Sequence, residues 1–257
     1  MKKVYYDNII NYSLFNILLI LLLSCSSFAQ NRSVKFNHLT VENGLSNNIV
    51  NAVIQDKTGF IWFGTEDGLN RYDGYKFKIF RNDLEDSNSI SNNKVLALAE
   101  DREGNIWVGT KDGVLNKFDP ITEKFTHSEL KSDTDKKSGV KTIYEDSEGN
   151  IWIGKYNRGG LYKLNPSSNT IDHWAAIPGD LKSLSNSYIL SIIEDEKGKL
   201  LVGTYNGLNI FDPEKSQNGF ERIYHEPTNP NGLSNSIIWS LSKSSIDSNI
   251  KIGRAHV

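Results

Sequence analysis

The sequence predicts an all-β fold made of repeated four-stranded antiparallel units, and three observations carry that prediction. The first is an internal period. The segment Asp56-Lys57-Thr58-Gly59-Phe60-Ile61-Trp62-Phe63-Gly64-Thr65 returns from Asp101 to Thr110, from Asp146 to Lys155 and from Asp195 to Thr204, where Leu201 replaces the Trp. The glycines at 64, 109, 154 and 203 are 45, 45 and 49 residues apart. The second is a succession of short apolar or alternating runs separated by turn residues. The third is composition: 5 Trp, 11 Tyr and 11 Phe stand against one Met and one Cys, and aromatic residues favour strands.

The elements of the first period follow in order. A Leu-Ser-Asn motif opens it at Leu45-Ser46-Asn47 and returns as Ile90-Ser91-Asn92, Leu184-Ser185-Asn186 and Leu233-Ser234-Asn235; the third copy has Ser138-Gly139-Val140 instead. Ile49 to Gln55 alternates apolar and polar, as a strand with one covered face does. Asp56 to Gly59 is a turn in which Asp caps its own backbone and Gly supplies positive φ. Phe60 to Gly64 is mostly apolar, a strand covered on both faces. Glu66-Asp67-Gly68 turns the chain into a third strand, Leu69 to Tyr72. Asp73-Gly74 is a hairpin signal and Lys76 to Phe80 is the fourth strand.

Four antiparallel strands in about 45 residues are the signature of a propeller blade. A single blade cannot bury both faces, so blades stack. Trp62, Trp107 and Trp152 are placed to pack between them, and with Gly64, Gly109, Gly154 and Gly203 they are read as blade core. The expected organisation is a partial β-propeller over residues 30–251: four blades centred on Trp62, Trp107, Trp152 and Leu201, the start of a fifth from Leu233, and an incomplete ring. Val34 to His38 has the pattern of an outer strand without a blade of its own, suited to latching a closed ring.

The N-terminus reads as an export signal over residues 1–29. Lys2 and Lys3 precede an apolar stretch from Leu14 to Leu23, and Ser27-Phe28-Ala29 supplies small residues at cleavage-site spacing, leaving Gln30 as the mature start. An uncleaved anchor and a lipoprotein signal at Leu22-Leu23-Ser24-Cys25 are the alternatives. Cleavage at Ala29 removes Cys25, and with it any disulfide or thiol chemistry. At the other end, Ile252-Gly253-Arg254-Ala255-His256-Val257 resembles the translation of a common sequencing adapter and is set aside from the fold. A net charge of −2, with 23% charged residues, gives no basic footprint for nucleic acid. An apolar stretch of about ten residues is shorter than the roughly 20 needed to span a bilayer.

Residues 44 to about 250 resemble the two-component regulator propeller repeats of hybrid sensor proteins from Bacteroidetes. The resemblance rests on Leu45-Ser46-Asn47-Asn48, on Glu100 to Thr110, and on the Gly-Leu-Asn continuations Gly68 to Asp73 and Gly207 to Asp212. It implies the N-terminal periplasmic sensor region of a histidine kinase, cut within its fifth repeat. It also implies an inner-membrane anchor, downstream propeller and kinase domains, homodimerisation at full length, an oligosaccharide ligand, and control of polysaccharide-use genes. The streptogramin-lyase type of propeller enzyme and a secreted scaffold are the competing readings.

Within the chain itself no catalysis, cofactor or metal is expected. The carboxylate pairs Glu100/Asp101, Glu145/Asp146 and Glu194/Asp195 recur at the same turn, which fits a structural role better than a single catalytic dyad. His127, His173 and His225 are isolated and fall near one fourth-strand position. There is no nucleophile elbow, phosphate loop or CxxC. Repeated residues are scaffold, so irregular ones are the better ligand candidates. The third copy reads Tyr156-Asn157-Arg158 where its siblings carry an ordinary turn, and an aromatic and a guanidinium suit a sugar or an anion. Trp174 is an off-pattern aromatic grouped with them as candidate ligand-binding residues; Trp239 is a further off-pattern aromatic.

Overall fold

A computed structural model of the chain describes residues 36–131, 138–244 and 249–253. The export-signal reading of residues 1–29 and the terminal Arg-Ala-His-Val lie outside the described residues. The first sheet holds β1 (Val50–Gln55), β2 (Ile61–Thr65), β3 (Gly68–Tyr72) and β4 (Phe77–Phe80). The second holds β5 (Val95–Glu100), β6 (Ile106–Thr110), β7 (Val114–Asp119) and β8 (Lys124–Glu129). The third holds β9 (Val140–Glu145), β10 (Ile151–Lys155), β11 (Gly160–Asn165) and β12 (Thr170–Trp174). The fourth holds β13 (Ile189–Glu194), β14 (Leu200–Thr204), β15 (Gly207–Phe211) and β16 (Phe220–Ile223). Each is an antiparallel sheet in sequence order. Two further strands, β17 (Ser240–Lys243) and β18 (Ile250–Gly253), form a fifth, two-stranded sheet. Ile252 and Gly253, grouped with the tail on sequence grounds, are paired there with Leu241 and Ser240. Residues 36–38 are not in a strand.

First strands of successive sheets lie side by side, so the sheets radiate from a common axis as propeller blades do. Among the described residues the array does not close. Three apolar cores fill the spaces between neighbouring blades. Trp62 packs with Val95, Ile106, Phe118 and Phe125 of the second blade. Trp107 packs with Val140, Ile151 and Ile153 of the third, and Trp152 with Ile189, Leu200, Val202 and Phe211 of the fourth. The second-strand Trp thus belongs to the inter-blade core, as its position in the repeat predicts. The anchor glycines have a steric cause. A Cβ on Gly64 would lie 2.5 Å from Val95 Cγ1, and one on Gly203 would lie 2.7 Å from Ile238 Cγ2. Gly109 faces Val140 and Gly154 faces Ile189 in the same way. The start of the next blade's first strand sits on Gly64, Gly109 and Gly154, and the residue leading into it sits on Gly203.

Every member of the repeated turn has a hydrogen-bonding task. Asp146 Oδ1 accepts from the backbone N–H of Glu148 and Asn150, and Oδ2 accepts from the Trp152 indole at 2.7 Å. Asp56 and Asp101 hold Trp62 and Trp107 likewise, at 2.7 and 2.9 Å. Opposite each Trp on the third strand stands a cation, Arg71, Lys117 or Lys163, within 5.5–5.7 Å of the ring. The fourth blade replaces both partners together, pairing Leu201 with Ile210. The glutamate preceding the Asp reaches the other way, to the preceding blade. Glu100 accepts from Lys57 N–H at 3.1 Å, Glu145 from Arg102 N–H at 2.8 Å, and Glu194 from Ser147 N–H at 2.8 Å. The paired carboxylates therefore serve two different structural bonds.

The Leu-Ser-Asn motif closes the opposite end of the first, second and fourth blades. Leu45, Ile90 and Leu184 are buried. Ser46 Oγ meets Thr65 Oγ1 at 2.8 Å and accepts from Asn70 Nδ2 at 2.7 Å. Ser91 also meets Thr110, while Ser185 repeats both contacts with Thr204 and Asn209. The Asn side chain then accepts the N–H two residues on, turning the chain into its first strand. In the third blade the Thr and Asn positions hold Lys155 and Tyr162. Lys155 is buried, donates to Leu130 O at 3.3 Å and lies 5.3 Å from the Tyr162 ring.

Candidate functional site at the channel mouth

The site begins with a β-bulge. Where the first strand pairs with the second, the register skips one residue between Val50 and Ala52, between Val95 and Ala97, and between Ile189 and Ser191. In the third blade Val140 pairs with Lys155 and Thr142 with Gly154, so Lys141 is skipped. A bulged residue has no cross-strand partner and its side chain is re-aimed. Asn51, Leu96, Lys141 and Leu190 accordingly line one cavity of about 240 Å³, together with Trp239 of the fifth sheet. Trp239 stands immediately before Ser240, which pairs with Gly253 as Ala52 pairs with Gly64.

A rim of side chains continues this belt. In the first four blades the residue after the second strand donates its backbone N–H to the carbonyl of the residue just before the first strand: Glu66 to Ile49, Lys111 to Lys94, Tyr156 to Gly139, and Tyr205 to Tyr188. On the first two blades the rim is charged, with Lys94 Nζ 2.5 Å from Glu66 Oε2. The Lys94 ammonium holds the Glu66 carboxyl below the usual carboxylate range. On the third and fourth it is aromatic, and Trp239 of the belt adjoins it. The rings of Tyr188 and Tyr205 are 5.9 Å apart, and those of Tyr205 and Trp239 are 6.4 Å apart. Tyr205 and Trp239 are 49% and 43% exposed.

The structure brings Tyr156 and Asn157 to this rim. Asn157 accepts from the Tyr188 hydroxyl at 3.1 Å. Asn157 and Arg158 are consecutive left-handed residues, φ 59° and 72°, a backbone that non-glycine residues adopt rarely. Both side chains are exposed. Trp174 is not with them. It stacks on Trp152 at 5.5 Å and packs against Phe211 at 5.3 Å, within the core between the third and fourth blades. The histidines are tied to local backbone or side-chain groups: His127 to Asn116 Oδ1 and Ser87 O, His173 to Gly159 O, and His225 to Leu233 O. Among the described residues no three His, Cys, Asp or Glu side chains converge to hold a metal ion, and no helix is long and apolar enough to cross a membrane.

The bulge residues and Tyr188 are the part of the site that sequence reasoning missed. Their signal was present: the residue before Ala52, Ala97, Thr142, Ser191 and Ser240 is Asn, Leu, Lys, Leu or Trp, while its neighbours stay small or β-branched.

Comparison with known proteins agrees with this architecture. Residues 44–67, 89–112, 136–154 and 183–206 match the two component regulator propeller family model. A 77-residue stretch is 46% identical to histidine kinase P4 of Formosa agariphila, covering 30% of this chain and 6% of that protein. Among solved structures, the extracellular domain of a hybrid two component system from B. thetaiotaomicron superposes with a TM-score of 0.55 at 21% identity, over 85% of this chain and 38% of that one. Virginiamycin B lyase from Staphylococcus aureus superposes with a TM-score of 0.60 at 14% identity, over 86% and 74%. The chain thus spans a small part of the kinase and well under half of the hybrid-system domain. Residues 44–206 hold four two-component regulator propeller repeats.

Proposed function

We propose that this chain is the ligand-sensing propeller segment of a hybrid two-component sensor histidine kinase, exported to the periplasm and anchored to the inner membrane through other parts of the full-length protein. In this reading it detects oligosaccharides released from glycans and controls polysaccharide-utilisation genes. Its output passes through downstream propeller and kinase domains of a homodimer, and the segment carries out no catalysis itself. One observation carries the reading: an almost invariant scaffold presents, at one end, a belt whose chemistry changes from blade to blade. Repetition serves stability, and departure from it at a concave mouth serves recognition. The match to repeats named for two-component regulators and the identity with a histidine kinase support the sensor assignment. The four bulged residues and Trp239 are Asn, Leu, Lys, Leu and Trp, which supply neither the carboxylate nor the imidazole that a lyase-type site would need.

The test is binding followed by output. Calorimetry of the full-length protein against a broad panel of glycan oligosaccharides should find at least one ligand, and that ligand should change autophosphorylation in membrane vesicles. Absence of binding across the panel would remove the carbohydrate assignment, and absence of autophosphorylation would remove the kinase assignment.

A further inference from the structure

Among the described residues, the cavity at the mouth is lined by a cation, Lys141, that no repeated contact of the scaffold explains. Lys141 is the bulged residue of the third blade and lines the 240 Å³ cavity with Asn51, Leu96, Leu190 and Trp239. None of the side chains lining that cavity is a carboxylate. Two cations on the rim, Lys94 and Lys111, differ from Lys141 in this respect. Lys94 is paired with Glu66, and Lys111 lies in the field of the same carboxylate. The corresponding positions in the other blades hold a neutral amide, two leucines and an indole, so Lys141 is not a repeat requirement.

We propose that Lys141 and Trp239 form a subsite for an acidic sugar: the ammonium takes the carboxylate or sulfate group, and the indole, continued by Tyr205, takes the apolar face of the ring. The ligand class follows from the pairing. An unneutralised cation in a neutral concavity selects an anion, and a half-exposed row of aromatic rings selects a flat partner with C–H faces. A cavity of this size is below the roughly 300–1,000 Å³ typical of sites for drug-sized ligands. It therefore takes one terminal ring, with the rest of the oligosaccharide lying across Tyr205, Tyr188 and the Asn157–Arg158 turn. The proposal rests on the glycan-sensing reading and narrows it to charged saccharides.

The experiment is calorimetry of the full-length protein with three probes of matched length: an oligogalacturonate, a sulfated galactan oligosaccharide and neutral galactotetraose. At least one charged probe should bind, with an affinity that falls as salt rises. Lys141→Gln should weaken it by about tenfold or more and flatten the salt dependence, while Lys141→Arg should retain most of the affinity. Trp239→Ala should weaken the same probe without altering its salt dependence. Tighter binding of the neutral probe, or a Lys141→Gln variant that binds the charged probes as the parent does, overturns the subsite and leaves glycan sensing standing. No binding of any saccharide, in these probes or the broader panel, overturns both. Unchanged circular dichroism of Lys141→Gln separates a lost ligand contact from a lost fold.

Discussion

Replacing Asp146 by Ala isolates the bond between the turn and the inter-blade tryptophan. Asp146 is 5% exposed and accepts five hydrogen bonds, from the N–H of Glu148 and Asn150, from Asn150 Nδ2 at both oxygens, and from Trp152 Nε1 at 2.7 Å. Trp152 is fully buried, so without Asp146 its indole N–H has no water to turn to. An orphaned buried donor costs about 1–3 kcal/mol, and loss of the turn cap adds about 1 kcal/mol. The expected loss is therefore about 3 kcal/mol. Chemical denaturation of the full-length protein, followed by Trp fluorescence, would read it. Trp152→Phe removes the donor, and in that background Asp146→Ala should cost about 1–2 kcal/mol less. A double-mutant coupling near zero would refute the claim that the carboxylate acts through the indole.

Three further outcomes follow from the same geometry. Gly154→Ala places a Cβ 2.5 Å from Ile189 Cγ2 and 2.6 Å from Thr142 Cγ2; it should destabilise by about 1–3 kcal/mol, and Ile189→Ala should make the same change less costly, as thermal melts of the four variants would show. Glu194→Ala should leave the fold intact at a cost of about 1 kcal/mol and speed hydrogen exchange at Ser147, whose N–H it holds at 2.8 Å; an unchanged Ser147 amide would break the inter-blade assignment. For Asp56, burial works against the charged form, but hydrogen bonds from Thr58, Trp62 and Phe60 prevail and hold its carboxyl below the usual carboxylate range. A carboxylate with a depressed folded pKa gives stability that is complete above its unfolded value and is lost as pH falls through the folded one. Stability should therefore decline below about pH 4, and Asp56→Asn should lose part of that acid dependence in denaturant titrations.

The blades were legible in the sequence because their causes are local. Asp56 to Gly59 announces a turn, Ile61 to Gly64 a covered strand, and both recur at intervals of 45, 45 and 49 residues. The steric reason for Gly64 was not legible, because Val95, the residue that needs the space, is 31 positions away. The channel belt was harder still. Alternation assumes that each residue faces a partner, and the bulge breaks that assumption at Asn51, Leu96 and Lys141. Only the register of the neighbouring strand shows that these side chains point into the mouth. Trp174 illustrates the converse. It looked irregular because its copies hold other residues, but it stacks on Trp152 and supplements a core that the fourth blade, lacking a Trp of its own, fills with Phe211 and Phe220. Tyr156 and Asn157 were legible because their turn departs from the repeat outright; Tyr188, which donates to Asn157 from 31 residues downstream, was not.

Two contacts repeat between blades, each in one sense: the glutamate reaches backward, and the anchor glycine receives a side chain from the blade ahead. Such contacts are head-to-tail, the kind that closes into a ring or continues as a strip according to the rotation per unit. Each blade offers the next the same socket and carries the same plug. Joining is then indifferent to identity, and chain order alone decides which blade follows which. Blades could be duplicated, deleted or exchanged without redesigning a seam, while the bulged position of each remains free to vary. The molecule separates the grammar of its assembly from the vocabulary at its mouth.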